Sequence, residues 1–80
     1  MEKNIDYYMS LPYRLEIVPD VVEGGYTAYY PELVGCITCA ETLEEVCYNA
    51  LDAKKAWLYA MLEDGNNIPE PALILNNTSI

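Results

Sequence analysis

Three motifs decide the fold of this chain: GYTAYYPELVGCIT at residues 25–38, TLEE at residues 42–45 and DGNNIPEP at residues 64–71. The first combines β-forming residues with a proline, Pro31, that stops a strand. The second is typical of the start of a helix. The third supplies two prolines that cannot continue one. A strand, a helix and a proline-containing segment that ends the helix therefore follow one another with few residues between them.

The residues around the first motif predict a three-stranded sheet. Apolar and polar side chains alternate over residues 13–18, as in a strand with one buried face. Gly24 and Gly25 can adopt the positive φ that a tight turn requires, and a second strand follows over residues 26–30. The short, apolar and partly β-branched segment 36–40 favours a third strand.

A long amphipathic helix should begin after Thr42. The Thr42 side chain can accept a hydrogen bond from the Glu45 N–H while the Glu45 carboxylate reaches back, which is a capping box. Gly65 is placed to end the helix in a left-handed conformation. The apolar half of the helical wheel comprises Leu43, Val46, Cys47, Ala50, Leu51, Ala53, Trp57, Leu58, Met61 and Leu62.

Lys54 lies within this apolar half, where an unpaired ammonium group is costly to bury. Two accounts are open. The side-chain stem packs while its tip reaches water, or the ammonium group pairs with an acid across a subunit interface.

These elements predict an α+β fold of two layers. Three antiparallel strands carry one long amphipathic helix on one face, in the order β-β-β-α. Residues 72–75 are apolar and suit either a short fourth strand or an interface arm. We expect residues 1–10 to be a flexible lead, residues 11–75 to form a single domain, and residues 76–80 to be a flexible tail.

Composition narrows the class of partner. The 80 residues include 4 basic and 13 acidic side chains, for a net charge of −9. Nucleic-acid binding requires clustered Lys or Arg, so direct binding of DNA or RNA by this chain is disfavoured. A basic protein partner fits better, because opposite charges accelerate encounter. Solubility alone is the other explanation of the acidity.

The N-terminus has acidic residues where a signal peptide needs basic ones, and it lacks the required apolar run. No segment is long and apolar enough to span a bilayer. We expect a cytoplasmic protein without membrane association.

Three cysteines raise the question of a metal or redox site. Cys36 and Cys39 form a C-x-x-C pair, but a separation of three places them on opposite faces of a regular strand. With Cys47 they are three thiols without any histidine, too few for a structural zinc site. We therefore predict small core residues, with neither a metal nor a cofactor.

Acidic side chains could also hold divalent ions for nuclease chemistry. Glu16 in the first strand and Asp52 in the helix are candidates, with Glu23 and Glu32 in the connections. The alternation in the strand and the helical wheel place Glu16 and Asp52 on diverging faces. Without histidine, a Cys or Ser nucleophile also lacks its usual base. We predict no catalytic residue and keep a divalent-metal nuclease as a remote alternative.

The order of these motifs resembles the HicB family of bacterial antitoxins. That family carries a Gly-Tyr/Phe-x-Ala-x-x-Pro-Glu-Leu-x-Gly-Cys signature, a Thr-x-x-Glu helix start and an Ile-Pro-x-Pro close. The resemblance implies a partial ribonuclease H fold. It also implies a toxin–antitoxin function, in which the domain neutralises a small basic HicA-type ribonuclease by covering the surface that cleaves mRNA.

Under this interpretation an acidic face would mimic the charge of RNA. We choose candidate partner-binding residues by their expected exposure near the edge between strand and helix: Tyr29, Tyr30, Glu32, Glu41, Glu44 and Glu45. Because an 80-residue chain gains stability by doubling its core, a homodimer or higher homo-oligomer is also expected.

The chain departs from the family at its end. Family members commonly continue into a DNA-binding domain, whereas this sequence ends nine residues after Pro71. We expect a short form lacking that domain and its operator binding. A self-associating regulatory or structural domain without any toxin partner is the alternative function.

Overall fold

The computed structural model describes residues 3–71. The elements in chain order are α1 (Ile5–Met9), β1 (Glu16–Pro19), β2 (Tyr26–Tyr29), β3 (Ile37–Ala40) and α2 (Leu43–Asp64). The predictions for residues 72–75 and 76–80 lie outside the described residues.

The three strands form an antiparallel meander in the order β1-β2-β3. Ala28 at the centre of β2 lies opposite Ile17 of β1 on one side and Thr38 of β3 on the other. The long helix α2 packs against β2 and β3. The predicted α+β fold, a three-stranded antiparallel sheet with one long helix, is confirmed.

The core lies between α2 and one face of the sheet. Ala28, Leu33, Val46 and Leu58 are fully buried, and Ala50 is 1% exposed. The strand residue Ala28 and the helix residues Val46 and Ala50 belong to the same cluster. Because both alanines are small, the helix can lie close to the central strand.

Local signals fix both ends of α2. The Glu45 N–H donates to the Thr42 hydroxyl at 3.1 Å, and Gly65 ends the helix with φ of 71°. Within residues 3–71 the reciprocal bond to the Glu45 carboxylate is not formed, so half of the predicted capping box is present.

The buried stripe of α2 is narrower than predicted. It consists of Val46, Ala50, Lys54 and Leu58, while Leu43 and Leu51 are about half exposed. Four-residue strands span about 13 Å, whereas a 22-residue helix spans about 33 Å. A sheet this small cannot cover the whole apolar half of the helix.

The first strand begins later than predicted, at Glu16 instead of residue 13. The Tyr13 side chain is buried and its hydroxyl donates to the Pro69 carbonyl at 2.6 Å. The Arg14 N–H donates to the Glu32 carboxylate at 3.0 Å instead of to a neighbouring strand. Tertiary contacts thus replace strand pairing at these two residues.

Within the segment expected to be a flexible lead, Ile5–Met9 forms the helix α1. The Asn4 side chain caps it by accepting from the Tyr7 N–H at 3.0 Å. Tyr8 is buried, and α1 packs on α2. A five-residue helix shows no apolar period in sequence, and here packing supplies the order.

The proline-containing segment that follows α2 is hydrogen-bonded to this N-terminal region through Glu70. Its carboxylate accepts from Lys3 Nζ and from the Tyr7 hydroxyl, each at 3.0 Å. These two hydrogen bonds lower the pKa of Glu70. Burial, followed by the nearby Glu70 charge, raises the pKa of Tyr13 to about 12. Tyr13 therefore remains a hydrogen-bond donor throughout the physiological pH range.

We predict that Gly25→Ala destabilises the fold more than Gly24→Ala does. Both glycines have positive φ, 84° and 86°, which costs an L-residue about 1–2 kcal/mol. At Gly25 a Cβ would also lie 2.7 Å from the Ala40 carbonyl oxygen, whereas at Gly24 it meets nothing within 4 Å. Overpacking adds about 1–3 kcal/mol. Urea unfolding of both variants measures the difference, and equal destabilisation would contradict this account of the turn.

Candidate protein-binding surface

The meander brings acidic residues from separate segments to one end of the molecule. Tyr26 at the start of β2 lies opposite Ala40 at the end of β3. The β1–β2 turn and the junction between β3 and α2 therefore meet there. We call this region the acidic end. Its residues are Asp20, Glu23, Glu41, Glu44 and Glu45.

An open groove of about 550 Å³ runs between the turn and the junction. Asp20 and Glu23 line it from the turn, and Glu41 lines it from the junction. None of the four basic residues of the chain lines it. The groove therefore presents carboxylates without an opposing cation, a surface suited to a positively charged ligand.

The turn that carries the acidic end is ordered by its own hydrogen bonds. Asp20 Oδ1 accepts from the N–H groups of Val22 and Glu23, both at 3.0 Å. The Asp20 N–H donates to the Gly25 carbonyl at 2.9 Å, and the Gly24 N–H donates to the Asp20 carbonyl at 2.9 Å. Asp20 thus fixes the loop, while the Glu23 side chain is exposed.

The structure does not bring all six predicted partner-binding residues together. Glu41, Glu44 and Glu45 are exposed at the acidic end. Tyr29 lies at the other end of β2, about 10 Å away along the strand. Glu32 follows in the β2–β3 connection, and its carboxylate is occupied by the Arg14 N–H.

The expected exposure of Tyr30 is wrong. Tyr30 is 5% exposed and belongs to the core cluster. It follows the alternation of Tyr26 and Ala28, which places its ring on the side of the sheet that α2 covers. Tyr30 therefore contributes to the interior of this chain, not to a surface.

Lys54 of α2 packs over the Tyr30 ring. Its Nζ lies 5.4 Å from the ring centroid, a cation–π contact, and the residue is 7% exposed. Burial lowers the pKa of Lys54. An intrachain aromatic face thus provides the contact for the ammonium group, a third arrangement beside the two considered from sequence.

The three cysteines have different environments. Cys36 is buried, and this burial raises the pKa of its thiol. Cys39 and Cys47 are exposed, so the prediction of core residues is wrong for both. Over residues 3–71 no group of three His, Cys, Asp or Glu side chains could hold a metal ion.

Of the four carboxylates considered for nuclease chemistry, Glu16 and Asp52 lie on different layers. Glu16 pairs with Tyr29 in the register, on the sheet face opposite α2, and forms an ion pair with Arg14 at 2.9 Å. Asp52 is exposed on α2. A metal site that required both carboxylates would need them on one surface.

Sequence reasoning missed Asp20 and Glu23 as members of the acidic end. The chain separates them from Glu41 by about 20 residues, and only antiparallel pairing brings them close. The available signal was the meander itself, since the first turn and the end of the third strand lie on the same side of such a sheet.

Fold and surface together define a small α+β domain with an acidic groove. No helix within residues 3–71 has the length and apolar character to cross a membrane. A family model described as "HicB_like antitoxin of bacterial toxin-antitoxin system" matches residues 13–79. The chain belongs to this HicB-like antitoxin family.

Curated relatives have similar size or are longer. UPF0150 protein ssr1765 of Synechocystis is 30% identical over 59 residues, covering 74% of this chain and 75% of the relative. UPF0150 protein ssl0259 of the same organism is 35% identical over 57 residues, which cover 71% of this chain and 77% of the relative. An uncharacterized 14.9 kDa protein of Haemophilus phage HP1 is 34% identical over 62 residues, 78% of this chain and 44% of the phage protein. No solved structure matches this chain.

We predict that Lys54→Met raises the free energy of unfolding at neutral pH, because a buried amine that is charged costs free energy. The lowered pKa means that the folded chain disfavours the charged amine, while Met retains the packing of the stem. This penalty is present below the folded pKa and disappears as the pH rises past the ordinary value of 10.5. The difference in free energy of unfolding between the variant and the parent chain should therefore decrease as the pH approaches 10.5.

Chemical denaturation of both chains at neutral and alkaline pH measures this difference. Lys55→Met is the matched control, because Lys55 is the exposed neighbour and its replacement should change stability by less than about 0.5 kcal/mol. Destabilisation by Lys54→Met at neutral pH would contradict the account and show that the cation–π contact outweighs desolvation.

Proposed function

We propose that this domain is an antitoxin that binds a small basic HicA-type toxin and covers its mRNA-cleaving surface. Family membership supports a toxin partner in general. The observation that carries the proposal is the groove at the acidic end, where carboxylates from the turn and the junction stand without a basic residue lining it.

Charge supports the choice of partner. The chain has a net charge of −9, and long-range attraction to a basic protein speeds association in a salt-dependent manner. A ribonuclease must present positive charge to its substrate, so a surface rich in carboxylates is complementary to it. In this proposal the acidic end occupies the site that RNA phosphates would take.

We infer that the domain acts by binding and not by catalysis, in the cytoplasm where mRNA is translated. The antitoxin family supports a non-enzymatic role. The low number of basic residues supports a partner that is protein and not nucleic acid. Self-association, as a homodimer or higher homo-oligomer, is part of the same proposal and is developed below.

The second candidate is a self-associating regulatory domain without a toxin partner. Exposed apolar side chains favour it, since Leu43, Leu51 and Tyr48 of α2 and Ile37 of β3 are each more than half exposed. This candidate predicts assembly without any binding of a HicA-type toxin.

Neutralising the acidic end tests the toxin proposal. The triple variant Glu41→Gln, Glu44→Gln, Glu45→Gln should bind a HicA-type toxin about tenfold more weakly at low salt, because it removes three charges from the proposed contact. Isothermal titration calorimetry at two salt concentrations measures the affinity and its salt dependence.

The matched control removes three acids from other parts of α2: Asp52→Asn, Glu63→Gln and Asp64→Asn. It changes the net charge by the same amount as the first triple variant. If the acidic end is the binding site, the control should bind the toxin with an affinity within about threefold of that of the parent chain. Thermal melts check that both triple variants remain folded. Equal weakening by the two variants would reduce the proposal to non-specific attraction, and no binding by the parent chain would favour the second candidate.

A further inference from the structure

Among residues 3–71, strand β3 is an edge of the sheet and its outer side pairs with no other strand. The Tyr30 N–H donates to the Cys36 carbonyl at 3.2 Å. Antiparallel pairing alternates, so Thr38, two residues further on, also directs its backbone groups toward β2. The N–H and C=O groups of Ile37 and Cys39 therefore point outward. Within residues 3–71 they have no backbone partner, because β3 pairs with β2 alone.

Among the described residues, one side chain hydrogen-bonds to this edge. Asn49 Nδ2 lies 3.5 Å from the Cys39 carbonyl oxygen, at the upper limit of a hydrogen bond. A carbonyl oxygen can accept two bonds, so this contact leaves room for another donor. Ile37 is 59% exposed and Cys39 is also exposed. The described residues thus leave β3 accessible to a further strand.

The opposite edge is guarded. The Asp20 N–H donates to the Gly25 carbonyl at 2.9 Å, and the same alternation makes Ile17 and Pro19 the outward positions of β1. Pro19 has no N–H to donate and obstructs a pairing strand. Strand β3 contains neither proline nor charge, which are common devices that protect an edge.

We propose that β3 pairs antiparallel with β3 of a second copy, around a twofold axis at Thr38. In this register Ile37 lies opposite Cys39 of the second copy, and Cys39 lies opposite Ile37 of the second copy. Both are hydrogen-bonded pairs, so the outward groups of both strands form four hydrogen bonds. The two sheets become one sheet of six strands.

Self-complementarity argues that the occupant is a second copy of this chain, because in this register each outward donor of one β3 faces an outward acceptor of the other. Two molecules of net charge −9 repel, and β3 is a neutral stretch at which they can approach. In the proposed register each Glu41 lies opposite Gly35 of the other copy. The two Glu41 carboxylates then stand at opposite ends of the ladder, about 20 Å apart along the strands. A basic partner would gain more at the acidic end.

The geometry also limits assembly to two chains. An interface that pairs the same strand on both copies is isologous and closes on itself. Once both β3 strands are paired, the outer edges of the six-stranded sheet are the two β1 strands, which Pro19 guards. The inference rests on the self-association proposed above and is independent of toxin binding at the acidic end.

Disulfide cross-linking tests the register. Thr38 faces its own symmetry mate in a non-hydrogen-bonded pair, where Cα atoms lie about 4.5 Å apart, within the range that a disulfide bridges. Thr38→Cys in a chain with Cys39→Ser and Cys47→Ser should give a covalent dimer on oxidation. Cys36 is buried and is retained. Val18→Cys in the same background is the matched control on β1 and should remain uncross-linked.

A backbone variant tests the hydrogen bonds. Ile37→Pro removes an outward N–H that bonds to no group within residues 3–71, and it should weaken dimerisation at least tenfold. Ile37→Val keeps the N–H and should remain dimeric. Light scattering measures mass, and circular dichroism checks the fold. If Ile37→Pro does not fold, the Thr38→Cys result decides.

Three results would overturn the inference. The first is a monomeric mass for the unmodified full chain at micromolar concentration. The second is a dimer that cross-links through Val18→Cys and not through Thr38→Cys. The third is a monomer whose Ile37 and Cys39 amides are protected from hydrogen exchange, which would mean that a segment of the same chain covers the edge. Toxin affinity measured on the same samples separates these results from failure of the toxin proposal.

Discussion

The packing of α2 against the centre of a very small sheet is the contact on which the rest of the structure depends. Ala28 is fully buried in β2, and Val46 and Ala50 lie in the same core cluster. Three four-residue strands provide little area, so within residues 3–71 this contact covers one face and leaves the other face and the β3 edge exposed. These surfaces are exposed because the sheet is small, and they are accessible to partners.

Local signals in the sequence predicted the long helix α2. They did not predict the features that depend on tertiary contacts, namely helix α1 and the burial of Tyr30. Thr42 and Gly65 fix the ends of α2 through hydrogen bonds within a few residues, so its bounds were predictable. Helix α1 was not, because Tyr8 is ordered by packing on α2 and a five-residue segment has no period. Tyr30 was predicted to be exposed because it lies near the edge between strand and helix, although the alternation from Ala28 places its ring on the side that α2 covers.

The acidic end shows why a binding surface is harder to predict than a fold. Glu41, Glu44 and Glu45 are close in sequence and were chosen together, whereas Asp20 and Glu23 join them through antiparallel pairing of three strands. We propose that the acidic end and the β3 edge bind different partners. One offers negative charge, and the other offers neutral backbone groups. A dimer paired through β3 would carry one acidic end at each outer end of its ladder.

Above all, we propose that a basic partner is recognised at the acidic end. Amide chemical-shift mapping of the labelled chain, titrated with a HicA-type toxin, measures this directly. The account predicts that the largest changes fall on residues 20–25 and 41–45, with small changes in the β2–β3 connection. Changes concentrated on residues 29–36, with the acidic end unaffected, would contradict it.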